Sequence, residues 1–266
     1  MTMSNWSIVI PYYNEENYLE DCLTCIIHQT LKPDQVILIN NASSDASEKI
    51  THKFKEKYND LFDIVLINED RPGKIFALMA GAQYVKTSFF AVWDADTYYP
   101  PSYLKRANKA YSKKTNRPAA VMATSLKNSS VSLKNIIRIL KIQFLSRCYT
   151  SECHAGGYAE TFNTLLYKQV GGFDDKIWPY MFEDHEIVQR LLKTGSVVYP
   201  LGLWCVVSNR RCDRSKITWT KTEKRIYRYT PFFLKDWFFY SFLAPRFEKR
   251  GLNIVELRKQ PWKDNS

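Results

Sequence analysis

The amino-acid sequence predicts an α/β protein, with a mostly parallel central sheet flanked by helices. Short continuous apolar runs, typical of buried strands, alternate with longer segments whose apolar residues recur at helical spacing. Each apolar run in the first 100 residues also ends in a polar loop. The 266 residues suffice for one large domain, or for one domain with an appendage.

The first predicted strand covers residues 7–11, and Pro11 ends it. A polar loop, residues 12–16, separates it from a helix that carries Leu19, Leu23 and Ile26. The same helix contains Cys22 and Cys25, a spacing found in redox pairs and in half of a zinc site. No second pair of cysteines has a matching spacing, which favours two buried thiols, and scattered cysteines are typical of reduced, cytosolic proteins.

Two further strand and helix pairs follow the first. Residues 35–39 form an apolar run, and the polar loop 40–45 leads into a helix marked by Ile50, Phe54 and Tyr58. Residues 64–67 form the third strand, and the loop 68–74 opens the third helix.

The fourth apolar run, residues 88–92, leads directly into Asp94-Ala95-Asp96. Carboxylates one residue apart repel each other unless a cation or hydrogen bonds compensate them. Mg²⁺ and Mn²⁺ take oxygen ligands and often share them with a substrate diphosphate. Asp94 and Asp96 are therefore candidate metal ligands, and the alternative is that they only cap a turn.

All four loops are expected at one edge of the sheet, because parallel strands place their carboxyl ends together. Arg71 and Lys74, near the start of a helix, offer positive charge and free amides to a phosphate group. Tyr12 or Tyr13 offers a ring that stacks on a base. Any one of these residues alone has an equally good structural explanation, and their convergence on one surface indicates a ligand site.

The order of these motifs resembles family 2 glycosyltransferases of the GT-A fold. The resemblance begins with residues 8–15, the loop 40–45, the helix after Gly73-Lys74, and residues 93–96. It continues through residues 154–157, 170–174 and 182–186, and it covers about three quarters of the chain. It implies a donor half, residues 1–100, an acceptor half, residues 101–210, and an extension over residues 211–266.

The resemblance also implies roles for individual residues. Asp184, with Glu183 beside it, would be the catalytic base, and Asp94 and Asp96 would hold ribose and a divalent metal, Mn²⁺ or Mg²⁺. Asn40-Asn41 departs from the family, which usually has an acid at one of these positions. The resemblance therefore defines the nucleobase of the donor less firmly. The implied donor-binding residues are Pro11, Tyr12, Tyr13, Glu15, Asn40, Asn41, Arg71, Lys74, Asp94, Ala95 and Asp96.

Glu183-Asp184 has a second explanation, since acids are favourable near the N-terminus of the helix predicted over residues 187–193. Residues 131–147 form an amphipathic helix that either touches lipid or packs on the sheet with a solvated basic face. Residues 210–228 contain eight Lys or Arg, and an aromatic run over residues 231–243 follows. This tail either sits on anionic lipid or packs on the domain.

The net charge of +11 favours anionic partners. We expect an inverting, metal-dependent enzyme that transfers one or a few sugars, because a processive-synthase motif and membrane spans are not evident. Its donor would be a nucleotide-sugar, a UDP-sugar by preference, and its acceptor a lipid-linked or surface glycan or glycolipid. The expected location is cytoplasmic, peripheral at the inner face of the membrane.

Two other functions stay open at this stage. A sugar-nucleotide pyrophosphorylase would need a glycine-rich phosphate loop near its N-terminus, and residues 8–20 contain no glycine. A non-catalytic protein could instead bind nucleic acid or membrane through the basic tail, although nucleic acid is not the expected partner.

Overall fold

A computed structural model describes residues 5–112, 118–129, 132–154, 156–158, 160–208 and 218–255. The strands are β1 (Trp6–Tyr12), β2 (Gln35–Asn40), β3 (Asp63–Asn68), β4 (Phe89–Val92), β5 (Pro118–Met122), β6 (Thr124–Leu126), β7 (Glu160–Asn163), β8 (Ser196–Val198) and β9 (Trp204–Val206). The α-helices are α1 (Leu19–Ile27), α2 (Ser47–Tyr58), α3 (Lys74–Gln83), α4 (Tyr103–Tyr111), α5 (Leu133–Cys148), α6 (Thr164–Gln169), α7 (Glu183–Leu191), α8 (Lys221–Tyr229) and α9 (Ala244–Lys249).

The main sheet has seven strands in the order β3-β2-β1-β4-β7-β5-β8, and β6 pairs with β9 in a small second sheet. Strands β1 to β4 are mutually parallel, as the alternation of apolar runs and helices predicts. Strand β7 runs antiparallel to both of its neighbours, β4 and β5. The prediction of a mostly parallel sheet is confirmed, with β7 as the exception.

The core lies between the sheet and its helices. Strand β2 is buried along its whole length, which explains why its sequence is a continuous apolar run. Helix α3 crosses β1 and β2 closely at Gly81, where an added Cβ would lie 2.7 Å from Ile39 Cδ1. A side chain at position 81 would push α3 away from the sheet.

Aromatic residues of the C-terminal region form a second core. Phe238, Phe239 and Phe247 are fully buried and pack with Trp178, which precedes α7. The explanation that the tail packs on the domain therefore holds for these rings. Phe232, Phe233, Leu234 and Trp237 stay exposed, so the run is only partly buried. No described helix combines the length and apolarity needed to cross a membrane.

Lys235 is fully buried beside this second core. Its Nζ donates a hydrogen bond to the carbonyl of Tyr227 and lies 3.9 Å from the centroid of the Tyr227 ring. Among the residues that the structure describes, no carboxylate forms an ion pair with it. Burial lowers the pKa of Lys235 to about 8.

Helix α5 does not bury its apolar stripe. It buries Asn135, Ile142 and Gln143, and the Gln143 amide donates to the carbonyl of Tyr199 at 2.7 Å. Of the two alternatives for this helix, packing of the predicted apolar stripe on the sheet does not hold, because the stripe is exposed and the helix meets the core through Ile142. The apolar residues left exposed are Leu133, Ile136, Ile137, Leu140 and Phe144.

The C-terminal segment reaches back to the start of α3. Ile254 N donates to the carbonyl of Pro179 at 3.0 Å. Its side chain packs against Gly73, where an added Cβ would lie 2.5 Å from Ile254 Cγ2. Gly73 also has a φ of +139°, a conformation that favours glycine.

Candidate active site

The loops that follow β1, β2 and β3 meet at one edge of the sheet. Tyr12 is in register with Asn40, and Asn40 with Asn68, so these strands end side by side. Hydrogen bonds join the first two loops: Asn14 N donates to Ser43 Oγ at 3.1 Å, and Ser44 N donates to Asn14 Oδ1 at 2.8 Å. The predicted convergence of loops at this edge is confirmed.

Asn41 holds the third loop in place. Its Nδ2 donates to the carbonyls of Glu69 and Arg71 at 2.9 and 2.8 Å, and its Oδ1 accepts from Gly73 N at 3.0 Å. Asn40 Oδ1 accepts from Ser43 N at 2.9 Å. Both amides are buried and shape the loops around the site. These contacts use the Asn41 amide to position the loop, and its predicted role in donor binding stays a prediction.

The residues at the end of β1 differ in exposure. Tyr12 is buried, its hydroxyl lies 3.0 Å from Thr51 Oγ1, and burial raises its pKa to about 12. It is a core residue, so of the two tyrosines predicted as candidates for stacking on a base, Tyr12 is the less accessible. Tyr13 is 39% exposed and stays a candidate for that contact. Pro11 is half-buried, and Glu15 is buried with its backbone N donating to Ser47 Oγ at 2.8 Å.

Arg71 is exposed and held by Glu69. Its Nε and Nη2 donate to the two Glu69 oxygens at 2.9 and 2.8 Å, and its guanidinium lies 4.7 Å from the centroid of the Phe76 ring. The hydrogen bonds from Arg71 hold the pKa of the Glu69 carboxyl below its usual range. Arg71 therefore stands at the rim of the site in a fixed orientation.

Lys74, the first residue of α3, forms an ion pair with Asp94. Lys74 Nζ lies 2.5 Å from Asp94 Oδ1, and it also donates to the carbonyl of Gly157 at 3.3 Å. Burial lowers the pKa of Lys74, but the carboxylates of Asp94 and Glu183 outweigh burial and raise the net pKa above its usual range. The ammonium group is therefore charged at neutral pH.

The buried Tyr99 fixes the backbone of the acidic motif, residues 94–96. Asp94 N donates to the Tyr99 hydroxyl at 2.8 Å, and that hydroxyl donates to the carbonyl of Tyr158 at 2.7 Å. The Tyr99 ring stacks on Trp93 with centroids 3.9 Å apart. Ala95 is buried, while Asp94 and Asp96 are half-buried. The backbone that carries the two carboxylates is thus held rigidly, and both carboxylates are partly accessible at the surface of the site.

The carboxylates of the acidic motif suit a hard divalent cation. Asp94 and Asp96 offer carboxylate oxygens, and both side chains remain partly accessible at the open edge of the sheet. The ion pair with Lys74 is made through Asp94 Oδ1. These residues fit Mn²⁺ or Mg²⁺.

Asp184 and Glu183 lie in the first turn of α7. His185 N donates to Asp184 Oδ1 at 2.9 Å, and His185 Nδ1 lies 3.0 Å from the same oxygen. Burial raises the pKa of Asp184, but the contacts with His185 outweigh burial and the net pKa lies below its usual range. Burial and the Asp184 charge raise the pKa of Glu183. Of the pair, Asp184 is the carboxylate that is ionised and oriented.

Gly157 joins the two halves of the site. Its carbonyl accepts from Lys74, and an added Cβ on it would lie 3.7 Å from Asp184 Cβ and 3.8 Å from Glu183 Oε1. The acidic motif after β4 and the acids of α7 therefore face each other across one glycine. The predicted donor and catalytic residues belong to one site.

Glu160, at the start of β7, was not predicted from the sequence. It is 1% exposed, pairs in register with Val92 and Met122, and has no hydrogen-bond partner for either oxygen among the described residues. Burial and the Asp184 charge raise its pKa well above the usual range. Glu160 is thus a neutral acid beneath the site. A lone acid in an otherwise uncharged strand was the available signal.

Cysteines and histidines take mainly structural positions. Cys22 and Cys25 are free and buried, as their place in a helix indicates. His154 Nε2 lies 2.9 Å from the carbonyl of Tyr149, and burial lowers its pKa. Cys153, Asp184 and His185 bring possible ligand atoms within 4.8 Å of one another. Residues 209–217, with Arg210 and Arg211, lie outside the described part of the chain.

Curated relatives resemble parts of the chain. GlyA, a glycosyltransferase of Streptococcus pneumoniae, is 30% identical over 103 residues, which are 39% of this chain and 14% of the relative. YaiP, an uncharacterised glycosyltransferase of Escherichia coli, is 24% identical over 230 residues, which are 83% of this chain and 56% of the relative. The chain thus spans less than two thirds of the length of either relative.

Solved structures share the fold. A mannosyltransferase of Pyrobaculum calidifontis, in complex with GDP-Man and Mn²⁺, has a TM-score of 0.65 and 22% identity, over 87% of this chain and 63% of that chain. S. aureus TarS 1-349, in complex with UDP-GlcNAc, has a TM-score of 0.57 and 16% identity, over 91% and 72%. These likenesses show that the chain has the GT-A fold.

A family model described as glycosyl transferase family 2 matches residues 7–163, which is more than half of the chain. The match includes the four loops at the sheet edge, the acidic motif and Glu160. The chain therefore belongs to glycosyl transferase family 2.

Proposed function

We propose that the protein transfers a sugar, with inversion at the anomeric carbon, from a nucleotide-sugar to a hydroxyl group of an acceptor. The observation that carries this proposal is the placement of an oriented carboxylate, Asp184, across Gly157 from the Lys74–Asp94 pair. One side of the site thus offers a base and the other offers positive charge. An inverting displacement needs both on opposite sides of the reacting carbon.

The base side of the reaction belongs to Asp184. The acceptor oxygen forms a bond to the anomeric carbon while its O–H bond breaks, and the proton passes to the Asp184 carboxylate. His185 holds that carboxylate through two contacts to Oδ1, which leaves Oδ2 for the acceptor. Because the pKa of Asp184 is depressed, the group is ready in its ionised form at neutral pH.

The leaving-group side belongs to Lys74 and the acidic motif. The bond between the anomeric carbon and the phosphate oxygen breaks, and the nucleoside diphosphate leaves with the electron pair. The Lys74 ammonium stabilises this developing charge and keeps Asp94 compensated. Asp96 and Asp94 would hold a divalent cation, which would supply further charge neutralisation when bound. The Mn²⁺ in the mannosyltransferase complex supports this assignment.

The donor in this proposal is a UDP-sugar, contacted by Pro11, Tyr13, Glu15 and Arg71 at the rim of the site. TarS complexes with UDP and UDP-GlcNAc support uridine, whereas the mannosyltransferase complex contains GDP-Man. The test is a thermal-shift panel of UDP-, GDP-, CMP- and dTDP-sugars, each with Mn²⁺ and with a chelator. A shift with one donor that requires Mn²⁺ is expected, and no shift with any donor would refute the donor site.

The acceptor in this proposal is a lipid-linked or surface glycan, and one sugar or a few are added. The names of two relatives support it: a teichoic acid poly(glycerol phosphate) polymerase and an undecaprenyl-phosphate 4-deoxy-4-formamido-L-arabinose transferase. One name contains a glycerol phosphate polymer and the other a lipid phosphate. The nucleic-acid and pyrophosphorylase alternatives have no comparable support.

The exposed face of α5 supports a peripheral position on an anionic membrane. Its exposed apolar residues, among them Leu140 and Phe144, are accompanied by Lys134, Arg138, Lys141 and Arg147, and the helix contains no acid. Apolar side chains beside cations complement the acyl boundary and the anionic headgroups of such a surface. The cytoplasmic face of the membrane is the proposed location.

A vesicle-binding assay tests the α5 face. Sedimentation with phosphatidylglycerol vesicles is expected to be strong for the wild type and reduced at least about tenfold by Leu140→Ser with Phe144→Ser. Leu61→Ser with Leu165→Ser is the matched control, since these residues are 59% and 74% exposed elsewhere on the surface. Equal binding by both variants would refute the role of α5.

A further inference from the structure

A cavity of about 660 Å³ lies beside the Asp184–His185 pair. His185 and Phe182 line one side of it, and Trp219 and residues of α8 line the other. The His185 and Trp219 ring centroids are 5.3 Å apart, and His185 Nδ1 is 3.0 Å from Asp184 Oδ1. A molecule in this cavity would therefore contact His185, the residue that holds the proposed base.

Helix α8 presents a row of cations to the cavity. Lys221, Lys224, Arg225 and Arg228 all line it, and their spacing of three or four residues places them on one face of the helix. Within the described part of the chain, Lys221, Lys224 and Arg225 form no ion pair. The row is thus a concentration of positive charge that the described residues leave largely uncompensated.

The only acid of α8, Glu223, is used elsewhere. Its Oε2 accepts from Thr220 N at 2.7 Å in a capping box, and it also accepts from Arg250 Nη1 at 3.0 Å. Glu152 lines the cavity and lies 3.5 Å from Arg228 Nε, so it compensates that one guanidinium. Among the described residues that line the cavity, four are cationic and one is a carboxylate.

We infer that this cavity binds a phosphate group of the acceptor, close to the hydroxyl that receives the sugar. The inference rests on the proposed function and adds the chemical class of the acceptor. Clustered like charges repel, and a phosphate with several acceptor oxygens relieves that repulsion through charge-assisted hydrogen bonds. Trp219 and Tyr227 give the cavity an aromatic wall, which suits the carbon-bound part of such an acceptor.

A phosphate group of this kind has two sources. It belongs either to the headgroup of a membrane lipid or to a soluble phosphate-bearing polyol or glycan. The two share the chemistry that α8 recognises, and the experiment below separates them.

The experiment is calorimetric titration of the full chain with glycerol 3-phosphate and with glycerol. We expect glycerol 3-phosphate to bind at least about tenfold more tightly, and added NaCl to weaken its binding. Lys224→Ser with Arg225→Ser should weaken the phosphate probe about tenfold or more. Lys53→Ser with Lys57→Ser on α2 removes the same charge from another surface and should leave the probe's affinity unchanged.

Two results would overturn the inference: equal affinity for glycerol and glycerol 3-phosphate, or equal loss in the α8 and α2 variants. Lys221→Ser with Lys224→Ser provides a second α8 variant if the first does not fold. A second titration with phosphatidylglycerol vesicles identifies the source. Vesicle binding that glycerol 3-phosphate displaces assigns a lipid headgroup, and binding of the soluble probe alone assigns a soluble acceptor.

Failure of the proposed function has a different signature. A wild-type protein that binds glycerol 3-phosphate but shows no thermal shift with any nucleotide-sugar would retain the cavity and lose the glycosyltransferase proposal. A wild-type protein that binds a nucleotide-sugar but does not prefer the phosphate probe would retain the enzyme and lose the inference.

Discussion

Lys74 Nζ lies 2.5 Å from Asp94 Oδ1, and the same ammonium donates to the carbonyl of Gly157. Through these two contacts, Lys74 connects the start of α3 with the end of β4 and with the segment that precedes β7. Lys74 also lies near both Asp94 and Glu183, whose charges raise its pKa. The charge of Lys74 is therefore central to the site.

Lys74→Met is expected to weaken nucleotide-sugar binding about tenfold or more, because it removes the charge beside the diphosphate and leaves Asp94 uncompensated. Titration calorimetry measures the effect. Lys86→Met is the matched control, since Lys86 pairs with Asp63 at 3.2 Å on the surface. Equal affinity of both variants for the donor would contradict the role of Lys74.

Asp184→Asn should reduce the transfer rate by about 10² to 10⁴-fold, because an amide cannot accept the acceptor proton. Donor affinity should stay within about twofold of the wild type. Single-turnover kinetics with a radiolabelled donor separate the two effects. Glu20→Gln, an exposed acid in the first turn of α1, serves as control. Normal turnover in Asp184→Asn would move the base to another residue.

Asp96→Asn should abolish the Mn²⁺-dependent part of the donor thermal shift, because a carboxylate ligand becomes a neutral amide. The chelator-treated wild type gives the reference for the same protein without metal. An unchanged Mn²⁺-dependent shift in Asp96→Asn would exclude this residue as a ligand.

Glu160→Gln is expected to stabilise the fold at pH 7 to 8. The pKa of Glu160 is raised in the folded state, so folded molecules bind more protons than unfolded ones above the ordinary pKa of glutamate. The free energy of unfolding of the wild type therefore falls as the pH rises from 5 to 8. That of Glu160→Gln does not fall for this reason, because the amide does not titrate. Urea unfolding at pH 5, 7 and 8 measures the difference, and a pH-independent gap would contradict it.

Lys235→Met should raise stability below pH 8 by about 1 to 3 kcal/mol, because it removes a buried charge. With its pKa lowered to about 8, Lys235 is neutral in the folded state at pH 9 to 10 but still protonated when unfolded. Wild-type stability therefore rises with pH across this range. In urea unfolding, the difference in free energy of unfolding between Lys235→Met and the wild type should become smaller from pH 7 to pH 10. A constant difference would refute the lowered pKa of Lys235.

The sequence predicted the sheet and the convergence of its loops at one edge, because buried parallel strands are continuous apolar runs and their carboxyl ends lie together. It did not show which side chains face the ligand. Tyr12 and Tyr13 are adjacent and alike, and only the direction of β1 separates a buried ring from an exposed one. Asn41 looks like a base-reading amide until its three backbone partners are known.

Contacts between residues far apart in the sequence explain the other differences between prediction and structure. Glu160 is one acid in a short strand, and only the pairing of β7 between β4 and β5 places it under the site. Helix α5 has a regular apolar stripe, and periodicity cannot tell which side of a helix meets the domain. The polar contacts of Asn135 and Gln143 decide that orientation.

The contact between Gly73 and Ile254 sets an order of assembly during synthesis. Strands β1 to β4 and their helices can form while the rest of the chain is still being made, since domains begin folding from the N-terminus. The loop before Lys74 receives its last packing partner only when residue 254 has emerged. A nascent chain that stops short of this residue would have its sheet assembled while the loop before Lys74 lacks the packing of Ile254, so we expect donor binding only after residue 254 has emerged.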